Sequence, residues 1–111
     1  MEQEMGILAG KLMNDLDLLQ RHLTMLKLVA ESEPIGIIKL SELLKLPQHK
    51  VRYSLRLLEQ DGLLEATNAG AKVTDKLIPF LQTLREQMET MGGSIRTIQK
   101  AVEDVRASRS K

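Results

Sequence analysis

The side chains best equipped for chemistry in this chain crowd into one short stretch. From Lys45 to Arg56 run Lys45, Lys50, Arg52 and Arg56, with Gln48, His49 and Tyr53 among them and no Asp or Glu. That is a local charge of +4 in a protein whose formal net charge is +1. An acid-free cationic segment of this kind binds anions: the flat Arg fork grips two oxygens at once, and Lys supplies a compact point charge. An ordinary solvated helix face is the competing reading of the same four cations.

Other residue types offer less. His22 and His49 stand 27 positions apart, with no further ligand-type spacing around them. His22 follows Arg21 and has no carboxylate four residues away, which reads as a surface or interface histidine. Asp15 and Asp17 are separated by two and do not share a helix face, so capping is the expected role. Met88 and Met91 belong to an apolar seam rather than to a metal site. Gly92-Gly93 lacks the flanking pattern of a phosphate loop. The chain has no Cys, which removes disulfides, thiolate metal sites and thiol redox chemistry. No nucleophile–base pair is visible, so neither an enzyme nor a bound metal or cofactor is expected.

The elements that must position the basic stretch follow from pattern. Apolar residues Met5, Leu8, Leu12, Leu16, Leu19, Leu23, Leu26 and Ala30 step by three and four, one face of a helix. Gly6 and Gly10 weaken its start, and Asn14 offers an N-cap, so a loose leader and a firm helix from about Asp15 to Ser32 are expected. Pro34 and Gly36 end it. A short helix from near Ile38 comes next, with Ser41 as a small interior residue facing a neighbour. Leu46 precedes Pro47 and is therefore pushed out of the helical region into a turn. Pro47 opens the next helix as its first residue, which runs through Val51, Leu55 and Leu58 to Gly62. With those three inward, Gln48, His49, Arg52, Tyr53 and Arg56 fall on other faces, and Leu57 is left partly exposed. Two short segments, Leu63–Thr67 and Ala71–Thr74, flank Asn68-Ala69-Gly70 and read as a β-hairpin.

The last third carries the most regular signal. Leu77, Leu81, Leu84, Met88, Met91, Ile95, Ile98, Val102 and Val105 are spaced alternately by four and three, four unbroken heptads in which Leu81, Met88, Ile95 and Val102 hold the a positions. Thr74 is placed to cap the helix. Gly92 and Gly93 fall at e and f, so the phase survives them and one long helix with a bend is expected. These nine apolar residues are the expected dimerisation seam.

Helix, turn, helix and hairpin in this order resemble a winged helix-turn-helix domain. Leu40-Ser41 through Leu44-Lys45-Leu46 looks like the first helix and turn of that motif, with Lys45 where glycine is usual. Leu57-Leu58-Glu59-Gln60-Asp61-Gly62-Leu63-Leu64-Glu65 resembles the segment that leads from recognition helix into wing. The chain is similar to the small winged-helix transcriptional regulators of bacteria and archaea, broadly of the MarR/PadR sort, over about residues 15–75. The resemblance implies a mainly α fold with a small β-hairpin wing, and long N- and C-terminal helices forming a dimer interface. Its parts would be an N-terminal helix (1–33), a DNA-binding core (34–74), a heptad helix (75–106) and a tail (107–111).

It also implies a homodimer on double-stranded DNA, with the helix over about 47–60 in the major groove. Arg52 is then suited to guanine and Gln48 to adenine, each good bidentate contact giving about 1–3 kcal/mol of discrimination. Lys45, Lys50 and Arg56 suit phosphates, Tyr53 can donate its hydroxyl to one, His49 adds charge when protonated, and Lys72 is the wing's one cation. Single-stranded nucleic acid is disfavoured, because Tyr53 and Phe80 are the only aromatics. The rival implication is a winged-helix adaptor, whose heptads pair with a different protein. No apolar run of about 18 residues is present, and Glu2 and Glu4 stand where a signal peptide carries cations, so a cytoplasmic protein without membrane contact is expected.

Overall fold

The first helix is longer than the capping signals imply. A computed structural model describes the backbone of residues 2–110 and the side chains of residues 6, 7 and 9–110. In it α1 (Glu2–Ser32) is continuous except at Gly6, whose φ of 63° and ψ of −164° break the helical path. Asn14 is therefore an interior residue and caps nothing: the helix passes through it, and Lys11 pairs with Asp15 across that turn at 3.3 Å. The core face also differs from the expected stripe. Met25, Leu26 and Val29 are buried, Ala30 is exposed, and Leu12 and Leu16 are uncovered on the N-terminal half. The side chains of Met5 and Leu8 lie outside the described residues.

The Glu33–Pro34 bond is cis, and the chain then turns into α2 (Ile37–Leu44). α2 ends on Lys45, which adopts a left-handed conformation (φ 56°, ψ 43°) that non-glycine residues rarely take. Its own N–H and that of Leu46 turn back onto the carbonyls of Glu42 and Ser41. Ser41 does more than fill space between helices: its hydroxyl donates to the Leu46 carbonyl and closes the same turn. Pro47 lies one residue outside the following helix, with an extended ψ of 149°, as the N-cap of α3 (Gln48–Gln60). Its ring still costs no hydrogen bond there, and its carbonyl receives the N–H groups of Lys50 and Val51.

Val51, Leu55 and Leu58 of α3 are buried with Leu40 of α2, as their spacing implies. α3 ends at Asp61, and Gly62 takes a positive φ of 77°. β1 (Leu64–Thr67) and β2 (Gly70–Val73) form an antiparallel hairpin in the register Leu64 to Val73 and Thr67 to Gly70. The strand edges differ from expectation by a residue: Leu63 is buried before β1 begins, and Gly70 belongs to β2 rather than to the turn.

A third backbone segment joins the hairpin. Ile35 pairs with Ala71 through two hydrogen bonds, Ile35 N–H to Ala71 O at 3.1 Å and Ala71 N–H to Ile35 O at 2.8 Å. Glu33 extends the tie, accepting the Val73 N–H at 3.2 Å. α1 thus packs on α2, α3 and β2 around one core of Met25, Val29, Leu40, Val51 and Leu63.

The chain forms two compact units, Met1–Leu77, which holds the core above, and Ile78–Lys111. The second unit is helical throughout, within α4 (Leu77–Arg109), and passes through Gly92-Gly93 without interruption. Thr74 acts at its approach, accepting the Lys76 N–H on its hydroxyl at 3.3 Å. Along the heptads Leu84 is buried, whereas Met88, Met91, Ile95, Ile98, Val102 and Val105 are each 45–65% exposed. No helix of the described residues is long and apolar enough to cross a membrane.

Candidate functional site

The candidate site grows from the two faces of α3. A 3.6-residue repeat puts Val51, Ser54, Leu55 and Leu58 on one side, and these four are buried. The opposite side carries Gln48, His49, Lys50, Arg52, Tyr53 and Arg56, all exposed. Arg52 reaches back to Gln48 Oε1 at 3.5 Å, the outer limit of a hydrogen bond, so both side chains remain available to a partner.

Five of these residues, His49, Lys50, Arg52, Tyr53 and Arg56, line one side of a shallow cleft of about 470 Å³. The sixth lining residue comes from α1. Arg21 was absent from the sequence-derived set, yet its guanidinium carbon stands 6.0 Å from the centre of the Tyr53 ring. None of the ion pairs among the described residues involves Arg21, Lys50, Arg52 or Arg56. The cleft therefore gathers cations that no ion pair among the described residues neutralises. Lys45, Gln48 and Lys72 do not line it. Lys45 sits at the end of α2, and Lys72 is half-buried on β2 directly across from Glu65.

The side chain that positions Arg21 is Ser54, buried to 0% exposure in the middle of α3. Arg21 donates its Nε–H to Ser54 Oγ at 3.1 Å. His22 Nδ1 lies 3.0 Å from the same oxygen. Ser54 Oγ therefore accepts from Arg21, and its own proton can go to His22 Nδ1 when the imidazole carries its hydrogen on Nε2. Sequence alone made His22 a surface or interface residue. In the fold it is half-buried, bonded to Ser54, with its ring centre 6.4 Å from that of Tyr53.

Burial lowers the His22 pKa below 6.5, and the Arg21 charge lowers it further against a smaller opposing pull from Asp61. Both larger causes act against the protonated ring.

One signal in the sequence pointed to this cluster. Ser54 falls between Val51 and Leu58 on the inward face of a helix, and a buried hydroxyl demands a partner. Which residues answer it depends on a contact across more than thirty positions. No group of three or more His, Asp or Glu suited to a metal occurs among the described residues.

A scan against models of protein families matches none of the chain, and a search of curated proteins finds no match either.

Proposed function

We propose that this protein is a homodimeric, sequence-specific regulator of transcription that binds double-stranded DNA through α3, with β1 and β2 as a small wing. The observation that carries the reading is the outer face of α3, which presents cations, one amide and one phenol, with no carboxylate from Gln48 to Leu58. A rigid helix of this kind fits the major groove, where residues near its start reach base edges. Arg52 addresses guanine and Gln48 adenine, while Lys45, Lys50, Arg56 and Lys72 meet phosphates.

The turn before α3 supports this arrangement. Lys45 holds a strained left-handed conformation there, and the N–H groups of Lys45 and Leu46 close the turn on the carbonyls of Glu42 and Ser41. The exposed apolar side chains Met88, Met91, Ile95, Ile98, Val102 and Val105 support the dimer. Spaced in heptads along an uninterrupted helix, they match a second copy of the same stripe. Leu12 and Leu16 of α1, also uncovered, add to the apolar surface available for pairing.

Selection of bound fragments from random duplex DNA tests the reading. The expected product is a pseudo-palindrome with half-sites separated by about one helical turn or a multiple of it. Arg52→Ala should relax the base preference at one position per half-site, while Lys50→Ala should weaken all sequences alike. A pool that stays unenriched after repeated selection contradicts specific binding.

A further inference from the structure

α1 brings to the basic face something that a recognition helix alone lacks. Arg21 is held in place at two points: its Nε–H is bonded to the fully buried Ser54, and its guanidinium carbon lies 6.0 Å from the centre of the Tyr53 ring, while the neighbouring His22 is bonded to the same Ser54 oxygen. With Nε occupied, the two terminal nitrogens of Arg21 keep their four N–H bonds, and no carboxylate among the described residues makes an ion pair with them. They share the cleft with Lys50, Arg52, Arg56 and His49. A pre-held fork of donors among other cations is suited to a tetrahedral oxyanion with several acceptor oxygens.

We infer that the α1–α3 cleft seats a backbone phosphodiester of the bound duplex, with Arg21 as the phosphate-gripping residue and Ser54 as the residue that positions it. The inference rests on the DNA-binding reading above and assigns α1 a direct part in it. The chemistry is ordered: Ser54 Oγ accepts the Nε–H, so the guanidinium plane is fixed before the phosphate arrives, and little side-chain freedom is lost on binding. Tyr53 has a double part, its ring against Arg21 and its exposed edge toward the same phosphate.

The test is a salt titration of binding to a labelled duplex of mixed sequence, followed by fluorescence anisotropy on the full-length chain. Four phosphate-contacting cations per subunit give log affinity against log salt a slope of about −7 for a dimer, and Arg21 in each subunit steepens it to about −9. Arg21→Ala should return the slope to about −7 and weaken binding at least about tenfold at low salt. Lys27→Ala, which removes an exposed α1 cation that does not line the cleft, should leave the slope unchanged. Ser54→Ala keeps every charge, so the slope should hold while affinity falls severalfold; an affinity equal to wild type overturns the positioning role.

A steep wild-type slope that Arg21→Ala does not alter overturns the phosphate assignment and leaves the DNA reading intact. A flat wild-type slope overturns the DNA reading itself. Calorimetry with inorganic pyrophosphate separates the remaining source: binding that Arg21→Ala abolishes, with the duplex slope unmoved, makes the cleft a site for a free phosphate compound and overturns the backbone assignment. Thermal melts of each variant, matching wild type, confirm that the losses do not arise from unfolding.

Discussion

Replacing Gly70 by alanine should damage the fold more than the same change at any other glycine of the chain. Gly70 has a φ of +132°, which L side chains rarely adopt, and a Cβ built there lies 2.6 Å from the carbonyl carbon, 2.7 Å from the oxygen and 2.8 Å from the nitrogen of Ile35. All three are backbone atoms, so no rotamer change relieves the clash. Either β2 or the Ile35 segment must move, and the two hydrogen bonds between Ile35 and Ala71 sit next to the collision. Backbone strain of this type costs about 1–3 kcal/mol, and two lost backbone hydrogen bonds add about 1 kcal/mol each. The expected loss is about 3–5 kcal/mol, a large share of the stability of a small domain. Urea unfolding followed by circular dichroism measures it. Gly93→Ala is the control: its added methyl meets only the end of Arg96, at 3.8 Å, in helical backbone, and should stabilise by about 0.5–1 kcal/mol. A Gly70→Ala loss below about 1 kcal/mol refutes the reasoning, because it means the hairpin is not tied to Ile35 as described.

Two further perturbations test other parts of the account. Because the His22 pKa is lowered in the fold, the unfolded chain binds more protons than the folded one around and below pH 6.5. The stability this group contributes is therefore complete above that value and is lost as the pH falls from it down through the lowered folded value; melts at pH 7.5 and 5.5 should show the drop, and His22→Gln should flatten it. Ile98→Lys places a cation in the middle of the exposed heptad stripe, where Ile98 is 56% exposed in the single chain. Sedimentation should move from dimer to monomer with the fold of residues 2–77 intact by amide exchange, and a wild-type chain that already sediments as a monomer contradicts the dimer.

Much of the architecture was readable residue by residue because its causes are local. The inward face of α3 follows from the spacing of Val51, Leu55 and Leu58, the turn follows from Leu46-Pro47, and the heptads of α4 carry their phase through two glycines. Asn14 misled because a cap residue signals a helix start only where the preceding residues cannot continue the helix, and the stretch before it can. The core stripe of α1 departs from its expected line near the C-terminal end, where Met25 and Val29 are buried and Ala30 is exposed. What local pattern cannot carry is pairing at long range. Ile35 joins the hairpin through Ala71, thirty-six positions later, and no periodicity marks a single bridging residue.

The site divides in the same way. The cations of α3 announce themselves as an acid-free run, whereas Arg21 stands in a stretch with more acids than cations, where its charge looks diluted. Only the packing of α1 against α3 brings it to Ser54 and Tyr53. His22 reads as a surface or interface histidine because no carboxylate stands four residues away on its own helix, and its partner, Ser54, lies on another.

The central claim is that the outer face of α3 binds duplex DNA by phosphate contact and base reading together. The most direct measurement is the salt dependence of affinity for a duplex recovered by selection, compared with a scrambled duplex of equal length. The account predicts slopes between about −7 and −9 for both, with the selected site bound at least about a thousandfold more tightly at physiological salt. A slope near zero, or equal affinity for the two duplexes, contradicts it.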